Sequence, residues 1–289
     1  MVTYYLFLIS ETLLSRLPTR IGYFIAHLTA DTVYMLYPHL RASVADNQRH
    51  VMGPGASEAA VRASSRKVLR NLARNYFDLI KMPHLRPEGI QRLVSAHNVH
   101  YLVDAVARGK GVVLVTAHYG SFDMAVQVLA ARSVQTTILV EALKPEQLLD
   151  HVVSLRRSQG LNVIPARSGA LQAILRSLRR GEMVLFACDR DLTGDSPKAL
   201  FFGQETGMPD IAVRMALRTG AAMVPVFNRR RNDGRYDVWV EPPIEVQSGN
   251  GGAAEYQRQI IRVMEKYISE CPEQWVVLEP IWHRNGKDR

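Results

Sequence analysis

The spacing of apolar positions changes character near residue 96. Before it, apolar residues recur at helical intervals. The longest such stretch is 61–81, where Val68, Leu72, Tyr76, Leu79 and Ile80 share one stripe and Pro83 ends the pattern. The turn Met52-Gly53-Pro54-Gly55 precedes it. After residue 96, short apolar runs alternate with amphipathic stretches. Runs of strand length fall at 112–117, 136–140, 162–164, 183–187, 222–227 and 236–240. Helices are predicted between and after them, at 121–132, 145–158, 168–179, 210–218 and 253–270. Such alternation predicts an α/β protein with a mixed, mostly parallel sheet flanked by helices. The division expected is a helical segment over 1–95, packed on a core that runs as one continuous domain over 96–289.

Two features of the first 40 residues refine this picture. Residues 1–10 carry no charged side chain, and residues 21–40 carry only Asp31 among Asp, Glu, Lys and Arg. Neither stretch is an uninterrupted apolar run of about 20 residues, so no spanning helix is expected. No small-residue cleavage site follows a signal-like core. The tyrosines and the flanking Arg16, Arg20 and Arg41 suit helices lying in a membrane interface. A helical hairpin packed on the core fits the same pattern, and both readings stand.

Composition adds charge to the argument. Apolar residues make up 47% of the 289, enough for a real core, and the formal net charge is +9. A basic surface favours anionic partners, among them nucleic acid, acidic lipid, phosphorylated substrates and acidic carrier proteins. No nucleic-acid-binding module is spelled out in the spacing. The Arg62, Arg66, Lys67, Arg70 and Arg74 stripe reads as a solvated helix face. Arg229-Arg230-Arg231 reads as a solvated turn, with contact to lipid headgroups as the second reading. Cys188 and Cys271 give neither a disulfide framework nor a metal cluster, which suits a reducing cytoplasmic setting. No metal site or cofactor is expected.

Candidate chemistry gathers where strands end. His118 follows the 112–117 run and lies five residues before Asp123. Nine histidines and 27 acids supply about one His-x4-acid match by chance, and a second one, His283 with Asp288, has no strand before it. Context separates the two. Gly120 permits a tight turn, Ser121 is a plausible helix N-cap, and Asp123 falls in the first helical turn. Asp123 then either orients His118 as a general base or only complements the helix dipole. Asp189-Arg190-Asp191 follows the apolar run 183–187, and in an extended stretch its two acids face the same way. Arg156 and Arg157 end a predicted helix, either as charge complements or as an anion clamp. A Gly-x-Ser-x-Gly elbow, a Walker loop and a His-Glu-x-x-His helix are all missing from the sequence.

These residues together resemble the bacterial lipid A biosynthesis acyltransferases and their relatives that acylate phosphatidylinositol mannosides. The likeness runs from about residue 10 to 283. Its markers, in order, are Asn47-Gln48-Arg49-His50-Val51, the segment Thr116-Ala117-His118-Tyr119-Gly120-Ser121-Phe122-Asp123, Asp189-Arg190-Asp191-Leu192, and Phe201-Phe202-Gly203. Arg218-Thr219-Gly220-Ala221 and Val224-Pro225-Val226-Phe227 follow, then Pro272-Glu273-Gln274-Trp275 and Trp282. The resemblance implies a fold of the glycerolphosphate acyltransferase type. It implies transfer of a fatty acyl group from acyl-CoA or acyl carrier protein to a hydroxyl of a membrane glycolipid. His118 would be the base and Asp123 its partner. Arg156 or Arg157 would hold a phosphate or the developing oxyanion, and Asp189, Arg190, Asp191 and Ser121 would line the substrate side. The implied place is the cytoplasmic face of the bacterial plasma membrane, with membrane lipids as partners and no nucleic acid. A non-catalytic binder of anionic lipid or nucleic acid, and a thioester hydrolase, are the alternatives.

Overall fold

The computed structural model describes residues 11–282 except 86, 131–134, 142–144, 158–159, 167–168, 193 and 247–251, and gives no side chains for 87, 88, 91 and 127–130. Residues 1–10, the His283/Asp288 pair, the end of the helix expected at 121–132 and most of the loop before residue 253 lie outside the described residues. The architecture is α/β, as the alternation predicts. A sheet of seven strands runs in the order β1-β9-β8-β2-β5-β3-β4. Its strands are β1 (Val94–His97), β2 (Val112–Thr116), β3 (Thr136–Val140), β4 (Asn162–Pro165), β5 (Met183–Ala187), β8 (Ala222–Arg230) and β9 (Tyr236–Val240). All neighbours pair in parallel except β8 and β9. A separate antiparallel hairpin joins β6 (Lys198–Phe201) to β7 (Gln204–Gly207). Neither β1 nor this hairpin is signalled by an apolar run, because each is short and half exposed.

Strand β2 lies in mid-sheet and is buried at every position. Its side chains alternate between two cores, as a pleated strand requires. Val113 and Val115 enter one core with α8 (Ala170–Arg179), α9 (Ile211–Thr219) and α10 (Ala253–Glu270). Val112 and Leu114 enter the other, with α5 (His100–Ala107), α6 (Phe122–Ala130) and α7 (Glu146–Arg157).

The N-terminal helices are α1 (Thr19–Leu36), α2 (Pro38–Met52) and α3 (Glu58–Lys81), and α4 (Pro87–Leu93) follows. Helix α1 is fastened to α3 by Arg66 and Arg70, which both grip Asp31 at 2.6–2.8 Å. Gly22 lets the two backbones approach, since a Cβ there would fall 2.1 Å from the Phe77 ring. The opposite side of α1 leaves Ile21, Phe24, Leu28 and Met35 exposed. No described helix is long and apolar enough to cross a membrane.

The turn between β2 and α6 is held from three sides. Gly120 has φ +68, and a Cβ there would lie 2.2 Å from the Asn228 carbonyl oxygen. Gly220 has a similar φ of +71, but its nearest neighbour would be a lysine carbon at 3.8 Å. Gly220→Ala should therefore cost only backbone strain, about 1–2 kcal/mol. Gly120→Ala should cost clearly more in urea denaturation, and equal losses would show that crowding against Asn228 is unimportant.

Candidate active site

Strand order creates the site. In the β2–β5 pair, Thr116 stands opposite Ala187. Cys188 N–H donates to the Thr116 carbonyl at 2.9 Å, which carries the pairing one step further. The next residues along each strand are His118 and Asp189, and they meet. His118 Nδ1 lies 2.8 Å from Asp189 Oδ1, and the His118 backbone N–H donates to Oδ2 at 2.9 Å. Trp275 Nε1–H also donates to Oδ2, at 2.8 Å. Asp189 is 0% exposed. Burial opposes its ionisation, but the His118 imidazole and these donors outweigh that, and the carboxyl titrates below its ordinary value. A carboxylate only accepts, so Nδ1 carries a proton and Nε2 of a neutral ring is a free base.

This corrects the expected pairing of His118 with Asp123. Asp123 sits in the first turn of α6, and its carboxylate faces α7. Arg156 of α7 grips it with two bonds, from Nε at 2.7 Å and from Nη2 at 3.1 Å. Asp123 is buried and Arg156 mostly so, and the guanidinium also lies 5.0 Å from the centre of the Phe122 ring. The four-residue spacing brings His118 and Asp123 to one cavity, but the carboxylate is spent on an arginine there rather than on the imidazole.

That cavity has a volume of about 400 Å³. His118, Asp123, Arg156 and Arg190 line it, and the His118 side chain is 30% exposed. The rest of its wall is mainly apolar, with Leu72, Tyr76 and Leu79 of α3 facing Ile138 and Leu149. Arg190 is held between Glu141 and Glu279 at 3.4 and 2.8 Å.

Three expected site residues lie elsewhere. Arg157 points away, bonding the Val163 carbonyl at 3.2 Å. Asp191 does not face the same way as Asp189, because the chain bends between them. It caps the following loop, accepting from the Gly194 and Ser196 backbones at 2.9 and 3.2 Å. Ser121 is buried, and its hydroxyl donates to Asp78 at 3.4 Å rather than capping α6. Its carbonyl begins the helix by accepting from Ala125 N–H at 3.1 Å.

A buried polar network holds the 118–121 turn from behind. Asn75 donates to the Gly120 carbonyl at 2.6 Å. Asn228 accepts from Ser121 N–H at 2.7 Å and donates to the Tyr119 carbonyl at 3.0 Å. Gly120 N–H donates to Gln274 O, and Val276 N–H to His118 O, both at 2.8 Å. Behind these lies Arg230, which is not in a solvated turn: β8 extends to include it. It is buried and bonds Asp78 Oδ2 at 2.5 Å and Asn75 Oδ1 at 2.7 Å. Asp78 also accepts from Tyr236 at 2.7 Å and Tyr23 at 2.9 Å. Nothing in the sequence near His118 points to Asn75, Asp78, Asn228 or Arg230. Their one signal is polarity inside otherwise apolar stripes.

The chain as a whole is similar to known proteins. The family model described as bacterial lipid A biosynthesis acyltransferase matches residues 1–284. The phosphatidylinositol mannoside acyltransferase of Mycobacterium tuberculosis (strain CDC 1551 / Oshkosh) is 28% identical over 219 residues, 74% of this chain and 68% of that protein. The protein of the same name from Mycolicibacterium smegmatis is 28% identical over 225 residues, 77% of this chain and 72% of its own. The lipid A biosynthesis lauroyltransferase of Escherichia coli K12 is 25% identical over 203 residues, 69% and 64% of the two chains.

Removing one partner of the Arg230–Asp78 pair leaves a buried charge without its counterion. Arg230→Met should cost about 3–5 kcal/mol in urea denaturation. A loss below about 1 kcal/mol would mean that the pair does not hold the turn in place.

Proposed function

This chain belongs to the bacterial lipid A biosynthesis acyltransferase family, and from that premise we propose that it moves a fatty acyl chain from a thioester donor to a hydroxyl of a membrane glycolipid. The observation that carries the reading is the oriented His118–Asp189 pair at the mouth of an apolar cavity. The donor is acyl-CoA or acyl carrier protein, and the +9 net charge suits either anionic carrier. Among acceptors, a phosphatidylinositol mannoside is favoured over a lipid A precursor, in keeping with the names of the relatives at 28% identity. The exposed apolar side of α1 suits peripheral attachment to the bilayer.

In this reading His118 Nε2 takes the proton of the acceptor hydroxyl as its oxygen attacks the thioester carbonyl. Asp189 holds the ring and balances the imidazolium that forms. A tetrahedral intermediate collapses, the carbon–sulfur bond breaks and the ester bond remains. The proton on Nε2 passes to the departing thiolate sulfur. No acyl-enzyme is required, because the thioester is already activated and the task is alignment and proton removal. Arg156 is neutralised by Asp123 in a bidentate pair, so its first role is to fix the cavity wall. The apolar lining receives the acyl chain.

The test is transfer of a radiolabelled acyl group to a panel of bacterial membrane lipids, with mass spectrometry of the product. His118→Ala should lower the rate by about 10²–10⁴ with the fold intact. Transfer near the wild-type rate would overturn the mechanism, and release of free fatty acid alone would replace the acceptor by water. In the same assay Asp189→Asn should lower kcat more than Asp123→Asn does. The reverse order would return the orienting role to Asp123.

A further inference from the structure

A second and larger cavity, of about 770 Å³, opens on the other flank of α3. It shares no lining residue with the cavity at His118. Both lie at the C-terminal end of these strands, because β8 runs parallel to β2 and continues beyond it to Arg230. The walls come from α1, α3, the end of β8 with its following turn, and the segment 271–274. Six lining residues are lysine or arginine, and two are acidic.

Five of those six cations have a carboxylate. Arg70 is bound to Asp31, Arg229 to Glu270, Arg230 to Asp78, Arg231 to Asp233 and, more loosely at 3.6 Å, Lys67 to Glu273. Arg74 is the exception, since among the described residues it makes no ion pair. Its Nε is buried without a hydrogen-bond partner, and its guanidinium rests 5.2 Å from the centre of the Tyr23 ring. Burial and then the charge of Arg230 hold its pKa below the ordinary arginine value. Across the cavity wall, His27 Nε2 is also buried without a partner.

An unpaired guanidinium with a buried, unsatisfied N–H is a costly arrangement, and the nearby charge of Arg230 adds to its cost. A dianion or monoanion with several acceptor oxygens supplies the countercharge that the guanidinium lacks. A planar guanidinium fork matches a phosphate in particular. We propose that this cavity binds a phosphate ester, with Arg74 as its central ligand and Lys67, Arg231 and Asn232 at the rim. The phosphate comes either from a lipid headgroup or from a soluble ester. A headgroup is within reach of the bilayer side of the molecule, because α1, which supplies His27, also exposes Phe24 (69%) and Leu28 (61%). The site is independent of acyl transfer, and its occupant need not be the acyl acceptor.

The full chain is titrated with glycerol 3-phosphate by calorimetry, and separately floated with phosphatidylcholine vesicles with and without phosphatidylglycerol. Arg74→Met should weaken binding by about tenfold or more. Arg62→Met, which removes an equal charge from an exposed position of α3 outside the cavity, should change it by less than about twofold. Binding of the soluble ester that Arg74→Met abolishes supports the site with a free ester as occupant. Flotation that needs phosphatidylglycerol and Arg74 supports it with a headgroup. Should Arg74→Met fail to fold, Asn232→Asp at the exposed rim brings a carboxylate to the mouth and should weaken the same binding. Equal losses in Arg74→Met and Arg62→Met, no effect of either cavity variant, or no binding of either probe would overturn the proposal.

Discussion

A carboxylate with no solvent contact holds this molecule's chemistry together. Asp189 accepts from the backbone and ring of His118 and from the Trp275 indole. Each donor comes from a different constraint. The His118 backbone belongs to the end of β2, its ring to the cavity, and Trp275 to the C-terminal segment. Loss of any one leaves a buried negative charge under-satisfied, which costs more than an ordinary hydrogen bond contributes. The same contacts therefore seat the C-terminal segment on the sheet and give the imidazole a single orientation. Tyr119 reinforces this through its bridge to Trp275.

The second layer of constraint comes from the N-terminal helices. Helix α3 supplies Asn75 to the turn carrying His118, and Asp78 to Arg230 behind it. Its Leu72, Tyr76 and Leu79 form the apolar wall of the cavity. The side of α1 away from α3 is the exposed apolar stripe. In the function proposed above, a helix pair that presents one side to the solvent boundary and the other to the cavity would tie the orientation of the protein on a bilayer to the position of the His118 site.

The sequence made His118 visible and concealed its partner, for a physical reason. An apolar run of strand length ending in histidine, then Gly120 and a helix start, is a local signal, and the structure has that strand, turn and helix. The partner depends on which strand lies beside β2, and strand adjacency is not written in local spacing. Sixty-six residues of sequence separate Asp123 from Asp189, yet the register Thr116 to Ala187 puts the distant acid on the ring. Asp123 is nearer in sequence, but the first turn of α6 aims it at α7. Arg230 misleads in a similar way. Three consecutive arginines read as a solvated turn, whereas strand alternation buries the middle one against Asp78 while Arg229 and Arg231 face outward to Glu270 and Asp233. The main strands and helices were legible because their periods are long and clean. The β6–β7 hairpin was not, since it turns at Phe202 and Gly203 with positive φ and has too little apolar pattern to announce itself.

In the proposed mechanism Asp189 fixes the tautomer of His118 so that Nε2 is the base. The imidazole nitrogens of the full chain can be read directly by ¹⁵N NMR on histidine-labelled protein, with the His118 signal assigned by its loss in His118→Gln. In the neutral ring the arrangement predicts a protonated Nδ1 and a bare Nε2, with that preference lost in Asp189→Asn. A neutral His118 protonated at Nε2 in the wild-type protein would contradict it.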